Sequence, residues 1–128
     1  ELLAPLSRDE MAVLFRRAQV MLSITTHDGT PNTLLEAMAC GCFPIAGDLE
    51  PLREWITPGE NGLLVEPTQP YSLAQAILAA LDDPALCARA RLANLALIAE
   101  RADYSKSMAS AGEFYTSLVT RSSPLASN

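Results

Sequence analysis

Residues 27–48 run His27-Asp28-Gly29-Thr30-Pro31-Asn32-Thr33-Leu34-Leu35-Glu36, then Ala37-Met38-Ala39-Cys40-Gly41-Cys42-Phe43-Pro44-Ile45-Ala46-Gly47-Asp48. An apolar run just upstream, Val20–Thr25, reads as a buried strand. The turn His27-Asp28-Gly29 ends it, and a helix starts abruptly. Thr30 is placed to cap that helix, and Pro31 suits the first helical position, where no N–H is needed. Leu34, Leu35, Ala37, Met38 and Ala39 give the helix an apolar face. Gly41 stops it, in the left-handed geometry that only glycine adopts cheaply. Phe43–Ala46 then reads as a second strand.

A strand, a tight glycine turn and a helix N-terminus gather free N–H groups and a positive dipole end at one place. Such a place suits a phosphate or a sugar hydroxyl. Two carboxylates flank it. Asp28 lies in the loop, and Glu36 lies roughly 8 Å further along the helix axis. They face different portions of an elongated ligand. A carboxylate beside a phosphate repels it, so both are better placed to accept hydrogen bonds from hydroxyls. Hydroxyls at two places with an anion between them describe a sugar nucleotide.

Working outward, Ser7 followed by Glu10 is a capping box for an upstream helix whose buried side is Met11, Val13, Leu14, Phe15 and Ala18. The uniformly apolar strand after it is expected to lie centrally in a parallel sheet. Downstream, Leu52–Ile56 is expected as a short helix, Thr57–Gly62 as a turn, and Leu63–Val65 as a third strand. Strands separated by helical segments imply a parallel α/β sheet. The remainder is helical: Tyr71–Leu81 with apolar residues at 3–4 spacing, Pro84 to about Arg101, and Ser105 to about Val119 with Met108, Phe114, Tyr115 and Leu118. One domain over 1–119 and a disordered tail over 120–128 are expected.

The chain of 128 residues is long enough for one core, and 49% of it is apolar. Nine basic residues against fifteen acidic give a net charge of −6, which disfavours nucleic acid or an anionic membrane surface as the main partner. No apolar stretch approaches the ~20 residues needed to cross a bilayer. No leader is visible and the chain starts at Glu1, so a piece of a longer protein is expected. Cys40, Cys42 and Cys87 are odd in number. Cys40-Gly41-Cys42 lacks a second ligand pair, so no metal site is expected, and the thiols fit a reducing, cytoplasmic compartment. His27 and the pairs Glu54-Trp55 and Asn61-Gly62 read as turn and packing residues.

The frame Asp28, seven residues, Glu36-Ala37-Met38-Ala39-Cys40-Gly41, then Pro44-Ile45-Ala46-Gly47-Asp48, resembles the signature of retaining glycosyltransferases of the GT-B fold, family 4. Arg53-Glu54-Trp55-Ile56 and Asn61-Gly62-Leu63-Leu64-Val65 resemble that family's next conserved-pattern segment. The resemblance runs from about Leu6 to Val119. It implies part of a Rossmann-like, nucleotide-sugar-binding C-terminal domain, with a parallel sheet flanked by helices and a helical C-terminal third. It implies that Glu36 accepts from the ribose hydroxyls of a UDP- or GDP-linked donor. Asp28, where the family has Glu, touches the donor sugar and stabilises charge at the anomeric carbon. The backbone N–H groups of Gly29, Thr30, Asn32 and Thr33 hold the diphosphate and sugar hydroxyls. The family needs no bound metal or cofactor.

The same resemblance implies segments not found here: an N-terminal domain, and an upstream Arg–Lys pair that clamps the diphosphate. Lys106 is the only lysine and lies late in a helix. The chain alone is therefore expected to be inactive, as one portion of an enzyme whose acceptor, and whose membrane association, are unreadable. The alternative is a non-catalytic binding or assembly module, which would cover an open sheet edge by forming a homodimer. A receiver-like α/β domain is a third option, disfavoured because no lysine follows a strand.

Overall fold

The computed structural model describes residues 2–27 and 29–121. The element order is α1 (Arg8–Arg17), β1 (Val20–Ser23), α2 (Asn32–Ala39), β2 (Phe43–Gly47), α3 (Glu50–Arg53), β3 (Leu63–Val65), α4 (Pro70–Asp82), α5 (Pro84–Arg101) and α6 (Tyr104–Arg121). The three strands form one parallel sheet in the order β1-β2-β3. Parallel pairing requires a crossover between successive strands, and the helical segments α2 and α3 supply it.

α1 begins as its sequence dictates. The Ser7 hydroxyl accepts from the Glu10 amide, and the Glu10 carboxylate accepts in turn from the Ser7 amide at 2.8 Å. These hydrogen bonds hold the Glu10 carboxyl below its ordinary pKa. α2 ends as expected: Gly41 has φ +91°, its N–H donates to the Met38 carbonyl, and the Cys42 N–H reaches back to Ala37. Asp83 caps α5, its side chain accepting from the Leu86 amide at 2.8 Å.

Four expectations are corrected. β1 stops at Ser23, not Thr25, because its pairing with β2 ends at Ser23 opposite Ala46. It is also an edge strand of this sheet, with β2 central and Leu22 46% exposed. α3 begins earlier than Leu52, with Pro51 in its first turn, where a missing N–H does no harm. α6 continues through Thr120 and Arg121, into the expected tail; residues 122–128 lie outside the described residues.

Alternate residues of β2 serve opposite faces. Phe43 and Ile45 join Val65, Ala76, Ala80 and Ala90 on one side, packing α4 and the start of α5. Ala46 joins Leu34, Met38, Leu52 and Ile56 on the other, with Leu97 and Ile98 of α5 against them. Phe15, Ala37 and Cys42 tie α1 to α2. α5 thus contributes to both sides. α6 buries no side chain fully, and Tyr104, Met108, Phe114 and Val119 are each more than half exposed.

Candidate functional site

The end of β1, the loop after it and the start of α2 come together with the end of β2. Gly47 makes this possible, because a Cβ there would stand 2.7 Å from the Thr25 carbonyl oxygen. Only a residue without a side chain allows the loop that close. The Thr25 hydroxyl is buried with no hydrogen-bond partner among the described residues.

α2 does not start with the expected cap. Its N-cap is Pro31, extended at φ −70° and ψ 124°, and no side chain caps the helix. The Pro31 carbonyl accepts from the Leu34 and Leu35 amides at 3.0 and 3.4 Å. The Thr30 hydroxyl is engaged elsewhere: it accepts from the indole Nε1 of Trp55 at 3.2 Å. Consequently the N–H groups of Gly29, Thr30, Asn32 and Thr33 have no acceptor among the described residues. A helix start normally leaves such donors to a cap, water or a ligand.

Gly29 lines a hollow of about 410 Å³ together with Thr26, His27, Leu49, Glu50 and Pro51. Asp28 falls outside the described residues. Asn32 and Thr33 are exposed on the first turn of α2. Glu36, also exposed, lines a different and smaller hollow of about 160 Å³ between α1 and α2, with Arg8, Met11, Ala12, Phe15, Ala39 and Cys40. The structure therefore groups Gly29 with His27 and Glu50, and Glu36 with Arg8. Gly29 and Glu36 thus line two distinct recesses.

Three contributors were not singled out for the site by the sequence reading. Glu50 follows β2 at the same end of the sheet from which the β1 loop departs, a position that topology marks in open parallel sheets. Arg8 is the first residue of α1, well ahead of the motif in sequence. Trp55, 25 residues from Thr30, had been read as packing; no local signal joins them. Nearby, Arg53 and Asp48 form a two-point ion pair at 2.7 and 3.1 Å. The Arg53 hydrogen bond holds the Asp48 carboxyl below its usual value. Among the described residues no group of three His, Cys, Asp or Glu side chains could hold a metal ion. No helix among them is long and apolar enough to cross a membrane.

A family model described as "Glycosyl transferases group 1" matches residues 1–95. The chain is similar to a D-inositol 3-phosphate glycosyltransferase of Pseudarthrobacter chlorophenolicus, 32% identical over 120 residues that make up 93% of this chain and 28% of that protein. Among solved structures, sucrose-phosphate synthase from Thermosynechococcus elongatus matches with a TM-score of 0.88 and 27% identity, over 94% of this chain and 30% of that one. Anabaena HepE, in complex with UDP, matches with a TM-score of 0.77 over 81% of this chain and 29% of that one. At 23% identity the HepE likeness is one of fold. The chain spans less than a third of the length of each of these proteins.

Proposed function

The chain belongs to the group 1 glycosyl transferases, and from that premise we propose that it is the donor-binding portion of an enzyme that transfers a sugar from a nucleoside-diphosphate donor to an acceptor. The observation that carries this reading is the set of four amides, Gly29, Thr30, Asn32 and Thr33, with no acceptor among the described residues at the uncapped start of α2. They are suited to receive the diphosphate. As the bond between sugar and diphosphate breaks, negative charge grows on the leaving phosphate, and fixed N–H donors aimed at it lower the barrier.

In this reading Glu36 accepts hydrogen bonds from the ribose hydroxyls in the recess between α1 and α2, where Arg8 also stands. Asp28 approaches the sugar ring and balances the positive charge that develops at its anomeric carbon, and the transfer retains the anomeric configuration. The reaction runs without a metal ion. The helix terminus supplies ~0.3–1 kcal/mol per favourable interaction, too little to hold a diphosphate by itself. Basic side chains from outside this chain complete the site, so the chain alone does not turn over. The free thiols of Cys40, Cys42 and Cys87 support a cytoplasmic location.

One observation favours a second reading, a non-catalytic module: no lysine or arginine is among the described residues lining the hollow at Gly29. Isothermal titration and amide NMR with UDP and GDP separate the possibilities. The donor reading expects binding weaker than micromolar by the chain, with the amides of Gly29, Thr30, Asn32 and Thr33 shifting. Micromolar binding by the chain alone overturns the need for outside cations. Amides that stay still at saturating nucleotide overturn the site.

A further inference from the structure

Resting on the reading that a nucleoside diphosphate sits at the start of α2, we propose that Trp55 is a positioning residue that aims the Thr30 hydroxyl hydrogen at a phosphate oxygen. The indole N–H only donates, whereas a threonine hydroxyl carries one hydrogen and two lone pairs. With Nε1 of Trp55 at 3.2 Å, one lone pair of Thr30 Oγ1 is occupied. The hydroxyl therefore keeps its hydrogen for another acceptor, and among the described residues it has none. A hydroxyl that accepts one hydrogen bond also becomes a better donor in the next. Thr30 would then present two donors to one anion, its amide and its hydroxyl.

Trp55 is held firmly enough for this role. The Arg101 guanidinium stacks over the indole, 4.6 Å from the ring centroid, and Arg101 Nη1 donates to the Glu54 carbonyl at 2.7 Å. The Trp55 carbonyl accepts from Asn61 Nδ2 at 2.8 Å, and Asn61 is itself tied to Asn94 in the core. Both the backbone and the ring of Trp55 are therefore fixed by α5, and the ring in turn fixes which way Thr30 donates.

The chain has one tryptophan, so its indole N–H gives a single NMR resonance. On titration with UDP or GDP that resonance is expected to move in step with the amides of Gly29 to Thr33. Trp55→Phe and Thr30→Val are each expected to weaken nucleotide binding roughly three- to tenfold. The double variant should be no weaker than the weaker single one, because the two act as a unit. Thr30→Ser, which restores the hydroxyl, should recover the affinity lost in Thr30→Val. Amides that move while the indole stays still, or single losses that multiply in the double variant, overturn the role of Trp55 and leave the donor reading standing. Amides that do not move at all sink the donor reading instead.

Discussion

Asn94, wholly buried midway along α5, exchanges hydrogen bonds with Asn61 of the turn before β3: Asn61 Nδ2 donates to Asn94 Oδ1 at 2.9 Å, and Asn94 Nδ2 donates to the Asn61 carbonyl at 2.9 Å. Asn61 Oδ1 further accepts from the Thr57 amide at 2.7 Å. An amide side chain in the core is tolerated only when its donors and acceptors are met, and here they tie the turn to α5. Asn94→Ala leaves Asn61 partly unpaired and is expected to lower the unfolding free energy by about 2 kcal/mol. Urea denaturation measures this, and an unchanged midpoint would show that the pair is dispensable.

The Glu36 carboxylate is exposed in the recess shared with Arg8. Hydrogen bonds to a charged acceptor are worth ~1.5–3 kcal/mol. Glu36→Gln in the full-length protein is therefore expected to raise the donor KM by about tenfold or more, with Asp28→Asn acting mainly on kcat. Steady-state kinetics with donor varied checks both. Wild-type turnover and donor affinity in both variants would remove these two residues from the site.

The Asp48 carboxyl is depressed by its hydrogen bonds from Arg53. A depressed carboxylate contributes stability above its unfolded pKa and loses it as pH falls through the folded value. Both partners are well exposed, so the contribution is small. Arg53→Gln is expected to lower the melting temperature slightly near neutral pH, with the difference shrinking at acidic pH as Asp48 becomes protonated in both proteins. Melting curves at the two pH values test the sign.

Burial pushes the Cys42 thiol up to about 11, with the neighbouring Cys40 adding to the effect. The thiol lies 3.0 Å from the Phe15 carbonyl, to which it donates. Since the thiolate is the reactive form, iodoacetamide near pH ~8 should label the half-buried Cys40 and Cys87 first. Cys42 should react only after urea is added. Equal labelling of all three in the native state would contradict the packing of α1 on α2.

Local signals in the sequence carried much of this architecture. The Ser7–Glu10 box, the Gly41 stop and the run Leu63–Val65 each depend on neighbours a few residues away, and each stands where the spacing places it. The start of α2 was misread because Thr30 has two possible partners. The sequence favours the local helix amides, whereas the fold brings in the Trp55 indole from 25 residues downstream. The edge position of β1 was hidden for a similar reason, since an apolar run does not say how many strands flank it. Of the candidate site, the place of Asn32, Thr33 and Glu36 on α2 was legible, but the missing side-chain cap was not. The companionship of Glu36 with Arg8, and of Gly29 with Glu50, was not, because it depends on how α1 and α3 pack.

The reach of α5 to both sides of the sheet sets where this chain can be cut. The match to the family model stops at residue 95, yet Leu97 and Ile98 still seal one flank of the interior, and Arg101 still roofs the tryptophan. A recombinant version trimmed at the similarity boundary would open that flank to solvent, so the smallest autonomous unit ends no earlier than the last turn of α5.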